Sequence, residues 1–454
     1  MDEPKPVNPV IEEDAETKSL PLYAWVVLAV VLAIPAGLLL GADASWFDRL
    51  PGSVRLALSA VATALDLAPT LIIRALGALA APLVVLAILS AIVTNDIRGR
   101  QGARMMGFYL LNTLVAMVIG LSASNVVQPG QGADLASGGP STGEDARLID
   151  RLIDRPPPRA MAPSRTVPEI ILEMVPRSIG DAFVSNNLAQ LVLFTVAVGI
   201  ALSRLRDEQR QRGESTYRAM VDVLTVGFEL MMKILLWVVA LVPIAVFGVV
   251  AISLAREGVG LFLRLGWFIA AVLIGFACQV VWYLAQLGLL GRFSPLRFLA
   301  GTADVVAMTF STASTAATIP ITLRALTDRL GVSRAASQLA ACVGTNFNND
   351  GTALYQAVAA LFFAQAYGAD LSLADQVVVM LTTLLASVGA GGIPSGSFVT
   401  LPLIFAAVRL PVEAIPLLLT IDWFLDRCRT TVNVLGDMTV AVLIDRSDAG
   451  GPPT

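Results

Sequence analysis

The chain has 454 residues, of which 56% are hydrophobic and 15% charged, with a mean hydropathy of +0.74 and a formal net charge of -4. That composition lies outside the range of a soluble globular protein and makes the bilayer the solvent. Lys and Arg are not gathered on one face, so nucleic acid is excluded as a partner, and the absence of histidine removes the usual proton relay and the commonest metal ligand.

In chain order, residues 1–20 are polar and acidic, with Pro4, Pro6 and Pro9, and read as a cytoplasmic tail. They carry no basic segment followed by an apolar core and a cleavage site, so the first span is expected to stay as an anchor. Apolar runs then recur at Tyr23–Leu40, Ala80–Val93, Leu110–Ala123, Leu191–Leu202, Ile234–Leu254, Leu263–Leu290, Ala353–Phe363 and Val399–Ala407. The pattern predicts an all-α polytopic membrane protein, and runs too short to cross alone are expected where helices break around a site. Arg98, Arg100 and Arg104, and then Arg204, Arg206, Arg210, Arg212 and Arg218, mark cytoplasmic joints. The stretch 128–177 is rich in Gly, Pro and Ser and reads as a periplasmic, partly disordered loop. Cys278, Cys342 and Cys428 have no metal-ligand spacing and read as free buried thiols.

From about residue 291 the texture changes, dividing the chain into an N-terminal part, 21–290, and a site-bearing part, 291–446, before a short C-terminal tail, 447–454. Small hydroxyl residues and a proline interrupt Thr309–Pro320, which suggests the tip of a re-entrant helical hairpin. Gly344–Gln356 then places Asn346, Asn348, Asn349 and Asp350 before a glycine, in apolar sequence. Amides, a carboxylate and backbone carbonyls freed by local unwinding are hard oxygen ligands, suited to an alkali cation; a simple helix break would need only one capping residue. Ser387–Ser397 reads as a second hairpin tip, whose glycines leave backbone groups open to a ligand. Either tip, taken alone, could equally be a helix-packing run of small residues.

The last helix carries Asp422, Asp426, Arg429, Asn433 and Asp437. At about 100° per residue these five fall within a sector of roughly 80°. Charges in hydrocarbon must pair or face a wet cavity, and an Arg fork suits a carboxylate. A structural ion-pair ladder is the plainer reading, and five such groups in register favour a binding stripe.

These segments, in this order, resemble the glutamate-transporter family of dicarboxylate/amino acid:cation (sodium) symporters. The resemblance is carried by Asn349-Asp-Gly-Thr-Ala-Leu-Tyr355 preceded by Asn348, and by Asp426-Arg-Cys-Arg-Thr-Thr-Val-Asn-Val-Leu-Gly-Asp437, and extends to Pro82-Leu-Val, Phe108-Tyr-Leu-Leu and Val242-Pro-Ile-Ala-Val-Phe. It implies eight transmembrane helices plus two re-entrant hairpins arranged as inverted repeats, a homotrimer in the cell inner membrane, and elevator-type movement of a transport domain past a trimerisation scaffold. Implied substrate contacts are Asp426 to the amino group, Arg429 to the side-chain carboxylate and Asn433 to the α-carboxylate. Thr430 and Thr352 would add hydroxyls, and Thr315, Ile393 and Ser397 mainly backbone. Implied sodium ligands are Tyr109, Asn112, Thr113, Asn348, Asp350, Asn433 and Asp437, with backbone oxygens near Gly344, Ser387, Val388 and Ala390. Asp422 would brace the site from behind.

The chain departs from the family pattern at three places. The usual serine triplet of the first tip reads Ser314-Thr315-Ala316, and Ala313 stands where some members carry an Arg, leaving Arg427 to supply that charge. Asn349 stands where a Met is usual, and Asn112 where a Thr is common. The expected function is sodium-coupled import of aspartate or glutamate. A C4-dicarboxylate or another polar amino acid such as cystine is the nearest rival, and a gated ion channel is the rival from another class. An enzyme is not expected, because no nucleophile has a base in register.

Overall fold

The computed structural model describes residues 22–40, 51–94, 99–133, 178–184, 188–257, 259–369, 371–389 and 396–449. The N-terminal tail, most of the 128–177 loop, the end of the C-terminal tail, and Ala390 and Ile393 of the second tip lie outside these residues. The described elements are all helical.

The N-terminal part comprises α1 (Leu22–Leu40), α2 (Gly52–Thr94), α3 (Gly99–Val127), a short α4 (Ile179–Val184), α5 (Leu188–Gln211), α6 (Tyr217–Ala240), α7 (Val242–Glu257) and α8 (Val259–Leu289). The run expected at Ala80–Val93 is the second half of α2, a 43-residue helix that passes through Pro69 and Pro82. The single run expected at Ile234–Leu254 is two helices. Pro243 brings no N–H to the ladder and its ring crowds the preceding turn, so α6 closes at Leu241, whose N–H bonds Val238 and Val239 carbonyls, and α7 starts afresh. Arg204, Arg206 and Arg210 lie on α5 itself rather than beyond it. Arg206 is buried and donates to the Val93 carbonyl, satisfying one of the orphan carbonyls at the end of α2.

Four described helical stretches are long and apolar enough to cross a membrane: Gly52–Ser90, Gln101–Val127, Tyr217–Ala255, which runs through α6 and into α7, and Phe262–Leu289. Apolar side chains stand exposed along α1 (Trp25, Val31, Leu32, Leu39) and α6 (Val223, Val226, Leu230, Trp237), as expected of a protein whose outer surface meets lipid. The cysteines depart from expectation: Cys278 is exposed on α8, and Cys342 and Cys428 are half-buried. A thiol is weakly polar enough to sit against lipid as readily as in a core.

The C-terminal part opens with a helical hairpin, α9 (Pro295–Thr312) and α10 (Thr315–Arg324), followed by a π-turn, Ala325–Arg329. Its tip falls within the expected segment. Ala313 adopts a left-handed conformation (φ 51°), and Ser314 caps α10 by accepting a hydrogen bond from the Ala317 N–H (3.2 Å). Next come α11 (Arg334–Phe347) and α12 (Asp350–Ala366), separated by Asn348 and Asn349 in non-helical conformations. The second hairpin pairs α13 (Leu373–Gly389) with α14 (Gly396–Ala407). Ser372 and Asp375 start α13 with a reciprocal cap: the Ser372 N–H donates to the Asp375 carboxylate (2.9 Å), and the Asp375 N–H donates to the Ser372 hydroxyl (3.2 Å). A 3₁₀ segment, Val412–Leu418, leads into the 31-residue α15 (Leu419–Ala449).

Packing does not follow the division at residue 290. One group joins α2 to α5, α6 and α7, with α1 on α7; the other joins α3 and α8 to α12 and α15. The centre of the second group is α12, buried on nearly all sides. Phe268 of α8 packs edge-on against Tyr355 and at a tilt against Phe362 of α12 (ring centroids 5.8 and 5.1 Å apart), and Phe363 meets Phe405 of α14 at 5.3 Å. Gly120 of α3 and Gly275 of α8 close on Leu354 from two sides, so that a Cβ on either would lie within 2.9 Å of it. Small residues here let three helices approach closely.

Candidate functional site

The α11–α12 break, the stripe of α15, and one face each of α3 and α8 converge. Asn348, extended at the break, donates through Nδ2 to the Asp437 carboxylate (2.8 Å) and to the Asn433 carbonyl (3.0 Å). Its Oδ1 is buried without a hydrogen-bond partner. The Gly344 backbone lies against the same carboxylate so closely that a Cβ would collide with it, and would stand 2.8 Å from the Tyr109 hydroxyl. Tyr109 itself donates to the Ala340 carbonyl (2.8 Å).

Beside this group, Asp350 accepts from the Thr113 hydroxyl (2.7 Å) on one oxygen and from the Tyr283 hydroxyl (2.6 Å) on the other. Asp350 and Asp437 are both fully buried, each met by neutral donors. A cation is the natural complement of two such carboxylates, and Asn348 Oδ1 and the backbone carbonyls freed at the break are ready hard ligands.

Along α15 toward its start, Arg429 is buried and pairs with two carboxylates of its own helix, Asp422 at 3.4 Å and Asp426 in closer contact, while its guanidinium lies 4.9 Å over the Tyr355 ring. Asn433 bridges the two clusters: its Oδ1 accepts from the Gly351 N–H (2.8 Å), and its Nδ2 donates to the Thr352 hydroxyl (3.3 Å). The Thr430 hydroxyl bonds back to the Asp426 carbonyl (2.7 Å). Thr315 and Ser397, at the first turns of α10 and α14, are buried with hydroxyl oxygens that have no partner. Arg427 reaches the Ser311 carbonyl in the first hairpin (3.5 Å). Ser387 and Val388 lie in the last turn of α13.

Asn112 turns elsewhere. Its side-chain oxygen accepts from Trp282 Nε1 (3.1 Å) and Gln286 Nε2 (2.5 Å) of α8, while its neighbour Thr113, one helical step round, meets Asp350. Sequence reasoning read α8 only as an apolar span and assigned no site residue to it, so it missed Tyr283. The signal was present: Gln279, Tyr283 and Gln286 recur at helical spacing in the apolar second half of the helix.

The family model described as "Sodium:dicarboxylate symporter family" matches residues 22–447. The chain belongs to this family. The symporter family consists of transporters, not enzymes, and membership agrees with the apolar helices in making the chain a membrane transport protein. Among its relatives are human neutral amino acid transporter B(0), 31% identical over 93% of this chain and 81% of the relative; C4-dicarboxylate transport protein 3 of Ralstonia nicotianae, 32% identical over 77% and 74%; and human excitatory amino acid transporter 2, 31% identical over 81% and 70%.

Proposed function

We propose that this chain is a sodium-coupled symporter that imports an acidic amino acid across the cell inner membrane. The observation that carries this reading is a charge imbalance. One guanidinium, Arg429, stands among four carboxylates, Asp350, Asp422, Asp426 and Asp437, of which all but Asp426 are fully buried. Uncompensated buried charge is strongly unfavourable, so cations must enter this region for the site to work. Sodium ions at Asp350 and Asp437, with Tyr109, Thr113, Asn348 and backbone oxygens near Gly344, Ser387, Val388 and Ala390, would supply them.

The relatives' names span neutral amino acids, C4-dicarboxylates and excitatory amino acids. The Asp426–Arg429 pair favours the last. An acidic amino acid can take Arg429 with its side-chain carboxylate while its ammonium takes the Asp426 that Arg429 leaves, so every charge keeps a partner. A dicarboxylate would leave Asp426 facing an anion, and a neutral amino acid would leave Arg429 to its own helix. Asn433, Thr352, Thr430, Thr315, Ser397 and Ile393 would complete the substrate shell. The packing supports a transport body in which α3 and α8 travel with residues 291–446, moving as an elevator past a scaffold of the remaining helices. The exposed apolar faces of α1 and α6 suit lipid and the contacts of a homotrimer.

The test is uptake of labelled aspartate into proteoliposomes under a sodium or a choline gradient, with unlabelled amino acids and dicarboxylates as competitors. Accumulation driven by sodium, displaced by aspartate or glutamate more strongly than by succinate or alanine, is expected. Uptake that ignores the cation swap, or conduction that merely equilibrates ions, would refute symport.

A further inference from the structure

Asn349 is absent from the ligand sets above, yet it is buried and touches three elements. It stands before the first residue of α12 but does not cap that helix. Its Nδ2 donates to the Ser387 carbonyl in the last turn of α13 (2.9 Å) and more weakly to the Asn346 carbonyl (3.4 Å). Its Oδ1 accepts from Asn433 Nδ2 (3.4 Å).

The Ser387 carbonyl belongs to the final turn of α13, where carbonyls have no partner within the helix and carry the negative end of its dipole. In a buried position such a group must meet either an N–H donor or a cation. Here the Asn349 amide meets it. We propose that Asn349 is a positioning residue that holds the base of the second hairpin against the helix break without a cation, its N–H doing what an ion would otherwise do at the Ser387 carbonyl. The other end of the same amide reaches Asn433, so a substrate that draws the Asn433 amide toward itself also loosens the latch. Hairpin closure and site occupancy are thereby linked through one side chain. The cation arm of this inference rests on the symport reading above.

Hydrogen–deuterium exchange of the backbone at 384–389, in full-length protein in lipid nanodiscs with choline as the only cation, tests the latch without any transported solute. Asn349→Leu, similar in size but without the amide, should speed exchange of this segment about tenfold, as expected for one lost buried hydrogen bond. Asn349→Asp, isosteric with the native residue, sets a carboxylate against the carbonyl. It should exchange as fast as the Leu variant in choline and return to the native rate in sodium, because a cation then bridges the two oxygens. The native chain, whose Ser387 carbonyl the amide already meets, should exchange slowly in choline, with sodium adding only further protection. Native-like exchange of Asn349→Asp in choline overturns the latch, and fast exchange that sodium leaves unchanged overturns the equivalence of amide and cation. Asn349→Asp carries both arms should the Leu variant fail to assemble. A chain that shows the expected exchange pattern but takes up no aspartate with sodium would refute symport while supporting the latch.

Discussion

Gly344→Ala tests the cation cluster with a single methyl group. The added carbon would occupy the space of the Asp437 carboxylate and crowd the Tyr109 hydroxyl. The obstructing atoms are Oδ1 and Cγ of Asp437 and the Tyr109 hydroxyl, all on side chains, so the strain is relieved by turning the whole Asp437 carboxylate aside rather than by moving the α11 backbone. Swinging aside breaks the 2.8 Å hydrogen bond from Asn348 Nδ2 to Asp437. A hydrogen bond to a charged group contributes about 1.5–3 kcal/mol, so sodium affinity should fall roughly 10- to 150-fold. The assay is the sodium concentration that gives half-maximal aspartate uptake in proteoliposomes, with thermal unfolding in detergent as a check on assembly. The sodium requirement should rise steeply while the protein still assembles and inserts. Unchanged sodium dependence would mean that Asp437 does not sit in the cation path and would remove the argument for a site at Gly344.

Two further substitutions separate substrate recognition from folding. Arg429→Cys removes the group shared by Asp422, Asp426 and the Tyr355 face, and should weaken acidic-substrate competition by at least roughly 30-fold while sodium binding persists; competition uptake and sodium-induced thermal stabilisation read the two separately, and unchanged aspartate affinity would end the assignment of Arg429. Ser372→Ala removes the reciprocal cap with Asp375 at the start of α13, at a cost of about 1 kcal/mol; a lowered unfolding temperature with an unaltered sodium requirement is expected, measured by thermal melts and uptake on the same preparation.

What could be read from the sequence divides by the range of the physics involved. The first hairpin tip was legible because Ser314 caps its own turn, whereas Pro320 lies inside α10 and does not interrupt it. The helix break was legible because three amides and a carboxylate crowd the five positions 346–350 of an apolar segment, and the α15 stripe because its spacing matches the helical period. The partners of those groups were not. Nothing local to Asp350 announces that one of its oxygens is met by Thr113 of α3 and the other by Tyr283 of α8, since both choices are made by packing between residues 237 and 67 positions apart. The orientation of Asn112 escaped for the same reason: adjacent helical positions face directions about 100° apart, and only the placement of α8 decides which neighbour meets the carboxylate. The split at Leu241 was legible in principle from Pro243, but an unbroken apolar run masked it.

The arrangement also explains why the helices break where they do. An uninterrupted α11–α12 would use its own carbonyls internally and bury Asp350 among apolar neighbours. Breaking it at Asn348 and Asn349 instead exposes a helix C-terminus, with its partial negative charge, to the same point reached by the end of α13 and by Asp437. Two helix C-termini and two carboxylates, offset only in part by the N-terminus of α12 at Asp350, make a region that positive charge or hydrogen-bond donors stabilise. The chain supplies neutral donors, the hydroxyls of Thr113 and Tyr283 and the amides of Asn348 and Asn349, while the buried Arg429 is already held by its own helix. Neutral donors hold such a cluster together when no ion is present, yet give way to one without leaving an opposite charge stranded. A fixed Lys or Arg in their place would neutralise the cluster permanently and abolish its need for a travelling cation, which is why amides and hydroxyls, rather than basic side chains, are the groups expected around ions that must both bind and leave.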